Sequence, residues 1–260
     1  AISSVPLQAE DLDLVKYFQN LSDLRLVNLS RTSIPDLRGL GHLVELYVYR
    51  CSLEKVLPSE MLASSAEILL TLSLADNLIG EVTEFALDQL YKLENLVLKR
   101  NRITTIHERA FESLASLKFL DLSHNLLTTI PSALQPLKQI RDILLSDNKI
   151  SYIGKRAFAP FTQLHAVELA NNPLHSFHHS AFAGVVRLKR LMLKQVSNLE
   201  LFPNLTGSHA LEQLRLSRAK IRQLPHNLCQ ILPKLKILYM MSNDLSAIPN
   251  LDGCRELLIL

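Results

Sequence analysis

The chain has 260 residues, 48% of them hydrophobic, and 28 lysines and arginines against 25 aspartates and glutamates give a formal charge of +3 at pH 7. No apolar run approaches the roughly 20 residues a membrane helix needs, so this stretch carries no spanning helix. The charge is too balanced, and the cations too scattered along the chain, to point to nucleic acid as the partner.

In chain order, ten segments follow one template: apolar, two variable, apolar, one variable, apolar, two variable, asparagine or a substitute, one variable, apolar. Its ninth position falls at Thr32, Cys51, Asn77, Asn101, Asn125, Asn148, Asn172, Val196, Ala219 and Asn243. The clearest copies run from Leu93 to Ile103 and from Leu117 to Leu127; eight of the nine spacings lie between 19 and 24 residues and the other is 26. A pattern of this kind at a period of about 20 to 29 residues is the mark of leucine-rich repeats. The predicted fold class is therefore α/β, a leucine-rich-repeat solenoid (horseshoe) with a concave parallel β-sheet and a mostly irregular or short helical convex side.

The template also assigns directions. Along a strand, side chains alternate, so the fourth and sixth positions point inward and the third, fifth and seventh outward. One repeat cannot bury its core alone, and stacked neighbours share one. At the ninth position an asparagine amide can satisfy turn backbone groups that burial would otherwise leave without partners. Thr32, Cys51, Val196 and Ala219 lack that amide, and Cys51 reads as a buried thiol filling the same slot. On this reading residues 1–260 form a single domain of about ten repeats, with a partial eleventh starting at Leu257. Neither end shows the cysteine cluster that often covers the open core of an extracellular array, so the chain reads as a fragment of a longer protein with both caps missing.

Between strands, Phe85, Phe111, Phe158 and Phe182 are expected to stack in a column beneath the convex side. Cys229 lies ten residues after its repeat's ninth position and Cys254 eleven after the next. Stacking then brings them to near-equivalent places on adjacent coils, and a disulfide is predicted, which requires an oxidising compartment. Asn-x-Ser/Thr sequons at Asn20, Asn28 and Asn204 point the same way, with Asn28 expected on an outward strand position.

The candidate binding surface is the concave face, whose outward residues are free of core constraints. Asp121, Asp142, Asp147 and Glu168 are read there as an acidic stripe, and Arg190, Lys194, Arg215 and Arg218 as a basic one. Tyr47, Tyr49, Phe119 and Tyr239 are candidate aromatic anchors. Segregated charge of this kind suits docking of a protein partner. No phosphate loop, Gly-x-Ser-x-Gly or His-Glu-x-x-His motif is present, so neither an enzyme nor a cofactor is predicted. The cluster His175, His178, His179 lacks a nearby cysteine or carboxylate in sequence to complete a metal site, and it reads as a solvated loop.

Three runs carry a more specific resemblance: Leu201-Phe-Pro-Asn-Leu-Thr-Gly-Ser-His-Ala-Leu-Glu-Gln-Leu214, Ile221-Arg-Gln-Leu-Pro-His-Asn-Leu-Cys229-Gln230 and Ile248-Pro-Asn-Leu-Asp-Gly-Cys254. Together they resemble the ectodomain of the type B leucine-rich-repeat G-protein-coupled receptors. The distinguishing motifs span residues 188–257; the preceding residues carry only the general repeat. The resemblance implies a secreted protein ligand docked on the concave face, a location on the extracellular side of the plasma membrane, and membrane attachment only through a downstream seven-helix segment. The wording of Ser208 to Leu216 and of Ile248 to Leu251 is more similar to the receptors for bursicon, a heterodimeric cystine-knot hormone, than to those for R-spondins. A non-signalling adhesion or matrix protein is the reading from another class.

Overall fold

The structure, a computed structural model, describes residues 18, 20–29, 35–196, 199, 201–247 and 250–259. Its contacts divide it into two units, residues 1–125 with 131–137, and residues 126–130 with 138–260.

In the first unit five parallel strands follow one another: β1 (Asp23–Val27), β2 (Glu45–Tyr49), β3 (Thr71–Ser73), β5 (Asn95–Val97) and β7 (Phe119–Asp121). In the second unit the same arrangement runs through β8 (Asp142–Leu144), β10 (Ala166–Glu168), β12 (Arg190–Met192), β13 (Gln213–Arg215) and β14 (Ile237–Tyr239). Each unit is thus a stack of leucine-rich-repeat coils. The register lines up the fourth template position from coil to coil. Leu46, Leu72, Leu96 and Leu120 in one unit, and Ile143, Val167, Leu191, Leu214 and Leu238 in the other, are all fully buried. Burial of each such side chain stabilises by roughly 1.5–3 kcal/mol, so the repeated leucines specify the register as well as the core.

Every strand exits through the same strained residue. Asn28, Arg50, Asp76, Arg100, His124, Asp147, Asn171, Gln195, Arg218 and Ser242 all have φ between 52° and 58°, a left-handed conformation uncommon for residues other than glycine. The next coil compensates it. The backbone N–H of Arg50 donates to the Asp76 carbonyl (2.9 Å), that of Arg100 to Ser123 (2.9 Å) and that of Asn171 to Lys194 (2.8 Å).

This conformation rephases the first repeat. Asn28 has φ 54° and donates to the Tyr49 carbonyl, and β1 pairs Leu24 with Leu46 and Leu26 with Val48. The ninth position is therefore Leu29, which is buried, and not Thr32, which lies outside the described residues. Asn28 in turn sits exposed on the strand-exit turn, not on an outward strand position.

The next residue after each exit turns inward. Asn101 accepts the Ile79 N–H on Oδ1 (3.0 Å) and donates through Nδ2 to the carbonyls of Leu74 (2.9 Å) and Leu98 (3.0 Å). Asn77, Asn125, Asn172 and Asn243 repeat this bonding across their own pairs of coils. Cys51 keeps part of it. Its thiol donates toward the carbonyls of Tyr49 (3.4 Å) and Leu26 (3.6 Å), and burial pushes its pKa up. Val196 and Ala219 fill their slots with fully buried apolar side chains.

On the other side of the coils, β4 (Glu81–Val82) pairs with β6 (Thr105–Ile106), and β9 (Tyr152–Ile153) with β11 (Ser176–Phe177). The helices α1 (Ser59–Leu62) and α2 (Leu228–Ile231) each have four residues. Phe111, Phe158 and Phe182 are buried, and the last two stack with ring centroids 5.1 Å apart. Phe85 is not in that column. It has φ 58° and is 45% exposed, while Leu87, two residues on, takes the buried place that Phe111 holds in the next coil. Cys229 on α2 is bonded to Cys254 across a Cα separation of 4.8 Å.

Candidate ligand-binding face

The outward sheet face of the first unit is largely committed to its own structure. Tyr47 donates from its hydroxyl to Glu45 Oε2 (2.9 Å) and lies under the Arg25 guanidinium, 4.7 Å from the ring centroid. Burial, and then the bond to Glu45, raise its pKa. Tyr49 and Phe119 are half-buried. Asp121 departs from expectation: it is only 6% exposed, and its Oδ1 accepts from both the N–H (2.9 Å) and the hydroxyl (2.5 Å) of Ser123. A carboxylate so occupied is a structural acceptor, not an open docking charge.

The second unit redistributes the predicted charges. Asp142, Ala166 and Arg190 occupy one row across β8, β10 and β12. Because the intervening Ala166 is small, Arg190 Nη2 reaches over it to Asp142 Oδ1 at 3.2 Å. One member of each predicted stripe thus neutralises the other. Asp147 and Arg218 stand on the strand-exit turns, not on the strand face, and Asp147 Oδ1 accepts from the Asn171 amide at 3.0 Å. Glu168 is half-buried on β10, with no ion-pair partner among the described residues.

Beside Glu168, the cations that remain are localised. Lys194, Arg215 and Arg218 are all exposed and line a hollow of about 270 Å³ with Tyr239 and Met241. The Arg215 guanidinium stacks over the Tyr239 ring, 4.8 Å from its centroid. None of the three cations has an ion-pair partner among the described residues. Met241, 69% exposed, was not among the residues singled out from sequence. Its seventh position in the tenth repeat, equivalent to that of Lys194 in the eighth, was the available signal. Grouped cations beside a half-buried ring and an exposed thioether can receive an anionic group and its apolar neighbour.

The sequon asparagines Asn20, Asn28 and Asn204 are all exposed, and Asn204 Oδ1 accepts the Thr206 N–H at 3.0 Å. His178 and His179 stack with ring centroids 4.1 Å apart, and His178 Nδ1 is 2.9 Å from the Ser180 hydroxyl. Among the described residues no group of three metal-ligand side chains surrounds them. Ile248 and Pro249, part of the third motif quoted above, lie outside the described residues.

Coils of this geometry are those of the leucine-rich-repeat fold, and a leucine rich repeat family model matches residues 67–127 and 92–150. The chain is 40% identical over 85 residues to leucine-rich repeat-containing G-protein coupled receptor 5 of Rattus norvegicus. That stretch is 33% of this chain and 9% of the receptor. Among solved structures, a Leptospira interrogans leucine-rich-repeat protein matches with a TM-score of 0.83 at 29% identity, over 94% of this chain and 60% of that one. The plant peptide hormone receptor RGFR1, solved in complex with RGF2, matches with a TM-score of 0.67 at 25% identity, over 89% of this chain and 37% of that one.

Proposed function

We propose that the chain is part of the extracellular ligand-binding region of a leucine-rich-repeat G-protein-coupled receptor, and that it takes a secreted protein on its outward sheet face. The observation that carries this reading is the group of exposed cations Lys194, Arg215 and Arg218 around Tyr239, without a carboxylate partner among the described residues. Charge and an aromatic side chain presented together, with no catalytic group beside them, suit recognition of a protein. Similarity to the rat receptor supports the receptor class, and the disulfide supports an oxidising compartment.

Within that class the ligand we favour is a bursicon-like cystine-knot hormone, on the wording of Ser208 to Leu216, with signalling through a downstream seven-helix domain. The vertebrate receptors found similar in sequence keep an R-spondin-type ligand as the second reading. Titration of the full ectodomain with each protein separates them. Heterodimeric bursicon is expected to bind with Kd below about 1 µM, or roughly −8 kcal/mol. R-spondin binding of that strength without bursicon binding reverses the ranking, and binding of neither favours an adhesion or matrix role. Location on the sheet face is tested with Glu168→Lys and Arg190→Glu against Glu108→Lys and Lys155→Glu on the other side of the coils. The first pair should weaken binding and the second leave it unchanged; equal effects would refute the assignment of the face.

A further inference from the structure

We infer that the hollow formed by Lys194, Arg215, Arg218, Tyr239 and Met241 is an anchor site for an acidic segment of the protein ligand, one in which a carboxylate lies next to an aromatic or aliphatic residue. The inference rests on reading the sheet face as a protein-docking surface, and it names the chemistry of what docks there.

Charge is the first ground. Several cations elsewhere on this protein are matched, among them Arg25 with Asp23, Arg38 with Asp36, Arg109 with Glu84 and Glu112, Lys118 with Glu94, and Lys236 with Glu212, and others stand singly. Around this hollow three stand together without a carboxylate partner among the described residues. Grouped like charges repel, and an incoming carboxylate relieves that repulsion while gaining charge-assisted hydrogen bonds, in the bidentate form where it meets an arginine.

Preorganisation is the second ground. Stacking on Tyr239 restrains Arg215 before any ligand arrives, so less side-chain freedom is lost on binding. Shape is the third. About 270 Å³ suits one or two side chains, and the Tyr239 ring with the exposed Met241 thioether supplies an apolar surface beside the charges. The cations gather round one hollow and do not form a row, so the site fits a short acidic element better than a chain of evenly spaced phosphates or sulfates.

The test uses the full ectodomain and a short fluorescein-labelled peptide with aspartates on both sides of a phenylalanine, read by anisotropy. The comparison is a triple variant, Lys194→Gln, Arg215→Gln, Arg218→Gln. Glutamine is tolerated at the strained position, because Gln195 holds the same left-handed conformation (φ 58°) one coil earlier. The wild type should bind the peptide, lose binding when the aspartates become asparagines, and bind more weakly as salt rises. The triple variant, with its disulfide and thermal transition intact, should bind about tenfold more weakly or worse. No binding by the wild type, equal binding by the variant, or tighter binding of a heparin oligosaccharide or single-stranded oligonucleotide would overturn the proposal. Peptide binding with this pattern, together with failure of both hormones, leaves the anchor site standing and removes the hormone reading. A hormone that binds the triple variant at full strength does the reverse.

Discussion

Truncating Asn101 to alanine should cost about 1–3 kcal/mol, because its amide is the partner of a buried N–H and ties together carbonyls of two coils. Asn101 is buried; it accepts the Ile79 N–H at 3.0 Å and donates to the Leu74 and Leu98 carbonyls at 2.9 and 3.0 Å. A buried polar group left without a partner costs about 1–3 kcal/mol; alanine orphans the Ile79 N–H and leaves a small void, while the Leu74 and Leu98 carbonyls keep Asn77 Nδ2 and Asn125 Nδ2, each at 3.0 Å. Asn101→Cys offers a control drawn from the chain itself. Cys51 holds the equivalent slot, where its one thiol proton points toward the Tyr49 and Leu26 carbonyls and the Leu29 N–H, the counterpart of the Ile79 N–H, bonds to its sulfur, so Asn101→Cys should recover part of both functions. The order of stability should be asparagine, then cysteine, then alanine, measured by urea unfolding followed by far-ultraviolet circular dichroism at constant redox state. An alanine cost under about 1 kcal/mol, or a cysteine cost equal to alanine's, would show that the amide is not what holds adjacent turns together.

Two further outcomes follow from the buried polar groups. Ser208 is fully buried and its hydroxyl has no hydrogen-bond partner among the described residues, so Ser208→Ala should be neutral or stabilising; a loss above about 1 kcal/mol in the same unfolding assay would contradict this. Burial raises the Cys51 pKa and so lowers its thiolate fraction at any given pH, and mass spectrometry should find it unmodified by iodoacetamide in the native protein yet modified after denaturation.

The repeat, the direction of each leucine and the disulfide were legible because they follow from period and stacking alone. The first repeat was misphased because Leu29 fills a slot in which the template looks for asparagine. The run Leu21, Leu24, Leu26 was the sounder guide, since the slot is buried whatever occupies it. Phe85 misled for a related reason: aromatic content suggested core, but the coil-to-coil correspondence selects Leu87. Asp121 and Asp142 were read correctly as acidic positions on the sheet and wrongly as open ones. Strand alternation says which way a side chain points, yet not whether a near neighbour, Ser123, or a residue two coils away, Arg190, will engage it.

That last distinction decides where the electrostatic selectivity of the face resides. In the row Asp142, Ala166, Arg190, opposite charges are tied together across a small residue, and an incoming partner of either sign must compete with the pair. Exposed pairs of this kind contribute little to stability, about 0–1 kcal/mol, and they present little net field. Around Tyr239 the three cations have no such counterweight. Approach of an acidic element is therefore favoured at that end of the second unit over the Asp142 row, and the preference should weaken as salt screens it. The apparent dipole in the sequence thus becomes, among the described residues of the second unit, an ion-paired row, a half-buried Glu168 and a basic hollow.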